Sequence, residues 1–333
     1  MRLVQLAGPR GRRVARVEEP TLRILRCESV YDLASDCLQS GISLQQGIEQ
    51  KASPERLDYD EIYAGQSEWR LRPSIDLPAE PARCLVSGTG LTHKASAQKR
   101  DAMHTAAQAV TDSTRMYQLG LEGGKPVAGE PGVAPEWFYK GNGAILRAHN
   151  EPLLIPDYAD DGGEEPEVAG VYIIDRDGLP RRIGFTAGNE FSDHVLERKN
   201  YLYLAASKLR TCAIGPELLI DGSFDRVPGE VSIARAEETI WQRSILTGES
   251  AMSHSLANIE HHHFKYESHR RPGDLHVHFF GAAALSFGDG VQLQDSDVMQ
   301  VCFEGFGRPL RNPVSRNPVS RLTSASALVV QPI

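Results

Sequence analysis

The chain has 333 residues, of which 41% are hydrophobic and 24% are charged, and its formal net charge is −8. These values are typical of a soluble globular protein with a sizeable core, and the negative balance argues against a nucleic-acid partner. No stretch of about 18 uncharged apolar residues is present, so we expect no membrane span. The N-terminal stretch lacks the pattern of a secretory signal, and five dispersed cysteines without a CxxC pair predict reduced thiols in the cytoplasm.

The first part of the chain predicts a small mixed domain. Two strand-like runs, "MRLVQLAG" and "TLRILR", precede one helical stretch, "SVYDLASDCLQSGISLQQGIEQ", in which apolar residues recur at helical spacing. The proline-rich "RPSIDLPAEPARC" indicates a boundary near residue 80. We therefore expect a smaller N-terminal α/β domain over residues 1–80 and a larger domain over residues 81–333.

The larger domain begins with a predicted helix and continues with many short strands. The helix is "THKASAQKRDAMHTAAQAVTDSTRMYQLGLEGG", which a Gly-Gly pair ends. Strand-like runs such as "VAGVYIID", "RRIGFTAGN", "TCAIGPELLID" and "DLHVHFFGA" follow, separated by turn signals, and a second helix, "GESAMSHSLANIEHHHFKYESHRRPG", interrupts them. This order predicts a β-rich α+β fold and not a doubly wound sheet.

Three carboxylates stand directly before one of these apolar runs. Glu164, Glu165 and Glu167 open the stretch "EEPEVAGVYII". In a strand, Glu165 and Glu167 point to the same face, and Pro166 suits the first position of the strand. Two carboxylates on one face repel each other, and burial makes this worse unless a cation compensates, which Mg²⁺ does with oxygen ligands. The alternative interpretation is an acidic loop that faces solvent.

A further acid follows the next predicted strand. In "RRIGFTAGNEFSDHVLERKN", Glu190 comes after a strand and before the start of a helix. Ligands of α+β enzymes are commonly held at such strand ends, which makes Glu190 a candidate third ligand. The alternative is an ordinary acid at a helix N-terminus, where the helix dipole favours negative charge.

Five stretches in order resemble the fumarylacetoacetate hydrolase superfamily: "EEPEVAGVYII", "IGFTAGNEFSDH", "AASKLRTCAIGPEL", "GDLHVHFFGAA" and "VCFEGFGRPLRNPV". The family pattern is Glu-x-Glu at a strand start, Gly-Tyr-Thr-x-x-Asn-Asp, a Lys before Gly-Pro, Gly-Asp-x-x-x-Thr-Gly-Thr, and a late Gly-x-Gly. The resemblance covers residues 84–314. It implies a β-rich core of rolled sheets that carries one Mg²⁺ or Mn²⁺ ion. The protein ligands that it implies are Glu165, Glu167 and Glu190.

The chain departs from the family pattern at three places near the implied site. Glu190 stands where Asp is usual, and His194 stands where many relatives carry Arg. Gly281 and Ala282 lie where relatives have the Thr-Gly-Thr that commonly holds the substrate carboxylate. We expect these four residues to contact the substrate, and the departures imply a different substrate shape with the metal retained.

Two lysines match lysines of the family pattern. Lys208, in "AASKLRT", corresponds to the lysine that contacts the keto acid beside the metal, and it is our candidate for proton transfer. The alternative is a surface lysine, although the following "TCAIGPELL" has the pattern of a buried strand. Lys140, in "PEWFYKGNG", resembles the lysine of a Phe-x-Lys motif. It either anchors the substrate or only packs its aliphatic stem.

The stretch "CLVSGTGLTHKASAQKR" supplies further candidates. The position at which relatives have a catalytic His is Ser96 here, and His93 and Lys94 lie close to it in sequence. His93 or Lys94 is a candidate donor of a proton to a leaving hydroxyl, although a single histidine is more often structural. Ser87 is a further expected substrate contact.

A histidine-rich stretch, "IEHHHFKYESHRRPGDLHVH", carries six of the eleven histidines. Adjacent residues on a helix diverge by about 100°, and no HExxH motif is present. We interpret the stretch as a polar helix edge, for instance against a second subunit, with a rival metal site as the alternative. No GxGxxG, Walker A or GxSxG motif supports a nucleotide-binding or serine-hydrolase function.

The superfamily resemblance implies a 2-keto acid substrate but not one reaction, since its members hydrolyse, decarboxylate, hydrate, dehydrate or isomerise. The chain resembles most the branch of 2-keto-3-deoxy-pentonate (arabonate) dehydratases, which implies 2,5-dioxopentanoate as product in non-phosphorylative pentose catabolism. The alternatives are a C–C bond hydrolase or decarboxylase of a 2,4-diketo acid, or a non-catalytic sugar-acid binding protein. A homodimer is the general expectation for its assembly.

Overall fold

The computed structural model describes residues 1–94, 111–316 and 329–333. The strands of the described chain are β1 Arg2–Gly8, β2 Gly11–Glu18, β3 Thr21–Leu25, β4 Ala52–Asp58, β5 Arg70–Leu71, β6 Cys84–Gly88, β7 Phe138–Asn142, β8 Leu146–Arg147, β9 Leu153–Ile155, β10 Pro166–Ile174, β11 Pro180–Asn189, β12 Cys212–Leu219, β13 Val227–Arg235, β14 Glu238–Thr247, β15 Leu275–Phe279, β16 Val298–Phe303 and β17 Leu310–Arg316. The α-helices are α1 Val30–Ser40, α2 Leu44–Lys51, α3 Tyr59–Tyr63, α4 Asp112–Gly123, α5 His194–Lys199, α6 Leu204–Lys208 and α7 Leu256–Phe264. No helix in these ranges is long and apolar enough to cross a membrane.

Two sheets carry the fold. The larger has the strand order β4-β3-β2-β1-β12-β11-β10-β15-β6-β7, with β5 paired to β1 and β8 paired to β12. The smaller has the order β14-β13-β16-β17-β9. Side chains of both sheets, among them Val168, Phe185, Val231 and Phe303, share one buried cluster, so the sheets pack against each other. The predicted β-rich α+β architecture is confirmed.

Strand β10 lies inside the larger sheet, between β11 and β15, and every one of its residues is buried. Its near-continuous apolar sequence follows from this position, because both faces of the strand are covered. Pro166 is its first residue, where the missing N–H costs no ladder hydrogen bond. The strand therefore holds the preceding acids in a fixed place at the edge of the core.

The N-terminal strands continue the larger sheet. Strand β1 pairs antiparallel with β12, with Arg2 opposite Leu219. Tyr59 of α3 donates a hydrogen bond of 2.9 Å to the Glu217 carboxylate on β12, and so ties the N-terminal part to the main sheet. The domain boundary near residue 80 stays a prediction.

The predicted helices differ from the observed ones in length. The stretch 29–50 forms two helices and not one, because Gly41 adopts a left-handed conformation with φ 65° and ends α1. Helix α4 ends at Gly123 as predicted, whereas residues 95–110 of that predicted helix lie outside the described residues. The last predicted helix contains only Leu256–Phe264 as α-helix, capped by Ser255, with short 3₁₀ turns on either side.

Candidate metal centre and active site

The register of two strands brings three acids together. Glu165 and Glu167 flank Pro166 at the start of β10, and Pro166 lies opposite Asn189 in the antiparallel pair with β11. Glu190 follows Asn189 directly, and its backbone N–H donates a 2.9 Å hydrogen bond to the Glu165 carbonyl. The hairpin of β10 and β11 thus brings Glu165 and Glu190 together, although more than twenty residues separate them in sequence.

The three carboxylates form a compact buried group. Glu165, Glu167 and Glu190 each offer one oxygen, and these oxygens lie within 4.8 Å of one another. Their residues are 4%, 1% and 0% exposed, so the alternative of a solvated acidic loop is wrong. Within the described ranges, no second group of three His, Cys, Asp or Glu side chains meets the same geometric test.

The electrostatics of this group favour a bound cation. Burial, together with the charges of Glu190 and Glu165, raises the pKa of Glu167 well above its ordinary value. Burial also raises the pKa of Glu190, against the opposing effect of Lys140 and Lys208. Buried like charges require protons or a cation in compensation. An all-carboxylate donor set fits Mg²⁺ or Mn²⁺, which prefer oxygen ligands.

Lys208 reaches the same group from the end of α6. Its Nζ lies 2.5 Å from Glu165 Oε1, 2.7 Å from Glu190 Oε2 and 3.0 Å from the hydroxyl of Ser192. It also lies over the ring of Phe138, 4.8 Å from the centroid. The side chain is fully buried, so the alternative of a surface lysine is wrong. The structure places a proton-carrying group directly beside the candidate metal ligands.

Lys140 of β7 is fully buried as well and forms an ion pair. Its Nζ lies 2.5 Å from Glu190 Oε1 and donates to the carbonyls of Phe191, at 2.7 Å, and Lys208, at 3.0 Å. Packing of its aliphatic stem alone therefore does not account for its position. Glu190 is held by one lysine at each of its two oxygens.

His194 is the first residue of α5 and faces the acids. Asp193 caps this helix by accepting from the Leu196 N–H. His194 Nε2 lies 3.1 Å from Glu165 Oε1, and the ring contacts Phe287 with centroids 5.3 Å apart. Burial opposes the charged form, but the hydrogen bond to Glu165 and its charge outweigh this, and the pKa of His194 is raised. Its Nδ1 is buried without a hydrogen-bond partner in the described structure.

The loop after β15 contacts the group through its backbone. The Gly281 N–H donates a 2.7 Å hydrogen bond to Glu167 Oε2. Gly281 has φ +99°, and a Cβ there would lie 2.0 Å from the Thr92 hydroxyl, so only glycine fits. Ala282 follows it and is buried. Ser87, by contrast, points at β15, with its hydroxyl 2.8 Å from His278 Nδ1.

The two candidate proton donors near residue 94 have different surroundings. His93 is buried, with Nδ1 2.9 Å from the Thr92 hydroxyl and Nε2 3.0 Å from that of Thr247. Burial lowers the pKa of His93 to about 4. Lys94 is exposed, and Ser96 lies outside the described residues.

Two groups near the site carried no strong signal in the sequence. The Glu164 carboxylate accepts from the backbone N–H of Ser286 at 2.7 Å and from its hydroxyl at 2.6 Å, which anchors the loop that carries Phe287. Glu197 of α5 accepts from Ser207 at 2.6 Å and lies 3.5 Å from Lys208 Nζ. Its position three residues after His194 was the only available signal, since helical neighbours at this spacing share a face.

The histidine-rich stretch is not a polar helix edge throughout, which corrects that interpretation. His263, His276 and His278 are buried. His263 Nε2 lies 3.0 Å from His276 Nδ1, and the indole N–H of Trp137 lies 3.1 Å from His263 Nδ1. Ring contacts connect His263 with His278, at 4.3 Å between centroids. These side chains form a packed cluster of aromatic and imidazole rings, and two of its histidines belong to β15.

Comparison with solved structures identifies the fold. The apo form of 2-keto-3-deoxy-D-arabinonate dehydratase matches with a TM-score of 0.71 and 19% identity over 96% of this chain and 100% of that chain. Its complex with magnesium and 2,5-dioxopentanoate matches with a TM-score of 0.69 and 18% identity over 95% and 99%. 5-Carboxymethyl-2-hydroxymuconate delta-isomerase from Mycobacterium smegmatis matches with a TM-score of 0.57 and 17% identity over 95% and 100%. No protein-family model matches the chain, and no curated protein does so.

The chain therefore has the fold that these enzymes share, along nearly its whole length. This confirms the expected fold, a β-rich core of the fumarylacetoacetate hydrolase type. At this level of identity the likeness establishes the fold, and the chemistry must be argued from the site.

Proposed function

We propose that this chain is a Mg²⁺- or Mn²⁺-dependent dehydratase that converts a 2-keto-3-deoxy-pentonate into 2,5-dioxopentanoate and water. One observation carries the proposal: three buried glutamates converge within 4.8 Å, and Lys208 touches two of them. The fold adds support, because the arabinonate dehydratase structures match with TM-scores near 0.7 and the isomerase structures with scores near 0.6.

The residues divide into a metal-binding set and a proton-transfer group. Glu165, Glu167 and Glu190 would hold the ion, whose charge would polarise the C2 carbonyl of a 2-keto acid and favour negative charge on its oxygen. Lys208 would act as the base in its uncharged form and accept a proton from C3, which is acidic because C2 is a ketone. His194 contacts Glu165 and fixes the direction of that carboxylate.

The atoms of the reaction balance without a further co-substrate. A proton leaves C3 and the hydroxyl leaves C4 as water, which gives a C3=C4 double bond. His93 or Lys94 is the candidate donor for the leaving hydroxyl. Burial lowers the pKa of His93 to about 4, so its ring is uncharged and a weak donor at neutral pH, which makes Lys94 the stronger candidate of the two. A proton then moves from C5 to C3, and the resulting enol becomes the C5 aldehyde. Glu190, His194, Gly281 and Ala282 remain the expected substrate contacts.

The test is to incubate the purified protein with a 2-keto-3-deoxy-pentonate and Mg²⁺ and to identify the product by NMR. A dehydrogenase that oxidises the aldehyde gives an independent coupled signal. The Glu165→Gln variant serves as the matched control and should give neither. Pyruvate with glycolaldehyde would show C–C cleavage, CO₂ would show decarboxylation, and unchanged but bound substrate would show a binding protein. Each of these three results would overturn the dehydratase.

The wider assignment belongs to the same proposal. We propose further that the reaction belongs to non-phosphorylative pentose catabolism, upstream of the oxidation of an aldehyde acid. The expected homodimer is part of the proposal too and is tested by light scattering on the purified chain.

A further inference from the structure

The ammonium group of Lys140 is charged and yet has no access to solvent. Lys140 is 0% exposed, although a buried ammonium is costly unless each of its hydrogens is bonded. An ammonium group has three N–H donors and no acceptor. The role of a buried lysine of this kind therefore follows from the acceptors that its ammonium group contacts.

The three donors of Lys140 have three acceptors of the protein itself. These are Oε1 of Glu190 at 2.5 Å, the Phe191 carbonyl at 2.7 Å and the Lys208 carbonyl at 3.0 Å. All three partners belong to the protein itself, and two of them are backbone carbonyls that the fold holds in place. This argues against the role of substrate anchor that the sequence allows.

The acceptors belong to two separate pieces of the site. Glu190 and Phe191 follow the end of β11, whereas Lys208 is the last residue of α6. Lys208 in turn reaches back, with Nζ 2.7 Å from Glu190 Oε2. Lys140, Glu190 and Lys208 thus form a closed ring of contacts. The Lys140 side chain contacts the Glu190 side chain and the Lys208 backbone carbonyl, and the Lys208 side chain contacts the Glu190 side chain.

The ring also accounts for a glutamate at the third ligand position. A Glu side chain has one more rotatable bond than an Asp side chain, so its carboxylate needs more restraint to stay in one place. Lys140 restrains Oε1 and Lys208 restrains Oε2, and the Ser192 hydroxyl lies 3.2 Å from Oε1.

We infer that Lys140 is a positioning residue that fixes the Glu190 carboxylate and the main chain of Lys208 relative to each other, without contacting the substrate. The inference rests on the proposed function, because it assigns Lys140 a role toward the metal ligand and the base. Partners that orient metal ligands typically change metal affinity or activity by about 10- to 100-fold when they are removed.

The experiment compares Mn²⁺ binding by the wild type and Lys140→Met, measured by electron paramagnetic resonance without substrate. Methionine keeps an unbranched stem and removes the three donors. Loss of positioning should weaken Mn²⁺ binding about 10-fold or more. Removal of the charge alone would act in the other direction, because an ammonium repels a dication. Unchanged or tighter Mn²⁺ binding in Lys140→Met would therefore overturn the inference.

Kinetics supply the second readout. A positioning residue predicts a lowered kcat with KM nearly unchanged, whereas a substrate anchor predicts a raised KM, and a rise confined to KM would overturn the inference. Lys125→Met is the matched control, because Lys125 is exposed and donates only to the Glu249 carbonyl in the described contacts. Its Mn²⁺ affinity and kcat should equal those of the wild type.

A further variant covers the case in which Lys140→Met does not fold. Lys140→Arg keeps the charge, but the guanidinium spreads its donors over a plane and cannot direct three from one atom. We expect weaker Mn²⁺ binding and lower kcat here too, and wild-type values would overturn the inference. Wild-type protein that binds no Mn²⁺ would overturn the proposed metal centre itself, so the two failures are distinguishable.

Discussion

The Nζ atom of Lys208 lies 2.5 Å from Oε1 of Glu165, although 43 positions separate the two residues in the chain. Antiparallel pairing of β10 with β11 brings Glu190 beside Glu165, and the chain after β11 returns through α5 and α6 to the same point. The candidate base and two candidate metal ligands thus occupy one buried volume. The following expected outcomes depend on that arrangement.

Removal of the metal should abolish activity and lower stability. A ligand that binds only the folded state at 100 times its Kd stabilises it by about 2.7 kcal/mol. We therefore expect Mg²⁺ or Mn²⁺ to raise the unfolding temperature of chelator-treated protein, and we expect no such rise in Glu165→Gln. Calorimetry on both proteins checks this, with Glu238→Gln, an exposed position on β14, as the control. Full activity after thorough chelation would contradict the metal centre.

Replacement of Lys208 by Met should lower kcat by roughly 10²-fold or more, the usual contribution of a positioned base. Steady-state kinetics with saturating Mg²⁺ measure this. Lys199→Met is the control, since Lys199 is exposed and pairs with Asp160 at the surface. A change in KM alone would make Lys208 a binding residue and remove it from proton transfer.

Gly281→Ala should affect both stability and metal binding. The left-handed φ of +99° and a Cβ 2.0 Å from the Thr92 hydroxyl should cost about 1–3 kcal/mol of stability. The forced shift should also displace the N–H that holds Glu167, so Mn²⁺ should bind more weakly. Gly290→Ala is a matched control, because Gly290 has φ +82° and open space around it. Urea unfolding measures the effect on stability, and Mn²⁺ titration measures the effect on metal binding. Equal effects in Gly281→Ala and Gly290→Ala would contradict the close contact with Thr92.

His149 should make stability depend on acid pH. Burial lowers its pKa from 6.5 to about 4. Between these two pH values, His149 is protonated in the unfolded state but not in the folded state. The stabilising contribution is complete above pH 6.5 and is lost as pH falls towards 4. His149→Asn keeps an acceptor for the Arg311 N–H, and should reduce the slope of unfolding free energy in that range by about 1.4 kcal/mol per pH unit. Urea unfolding at several pH values checks this, and parallel slopes would contradict it.

The sequence by itself determined the local pattern of the site. A strand of period two places Glu165 and Glu167 on one face, and Pro166 marks the strand start, because these properties depend only on neighbouring residues. The order of the five motifs likewise predicted the fold type that the solved structures confirm. Helix lengths were predicted less well, since one residue, Gly41, was enough to divide a helical stretch in two.

Only the tertiary structure decided which polar side chains meet. Nothing local shows that Lys140 pairs with Glu190, that Ser87 binds His278, or that Glu164 is buried against Ser286. Each of these contacts joins residues between 50 and 191 positions apart, and strand register and loop packing set them. The physical reason is burial. A charged side chain that the fold removes from water needs a hydrogen-bonding or oppositely charged partner, and the fold decides which side chain that partner is.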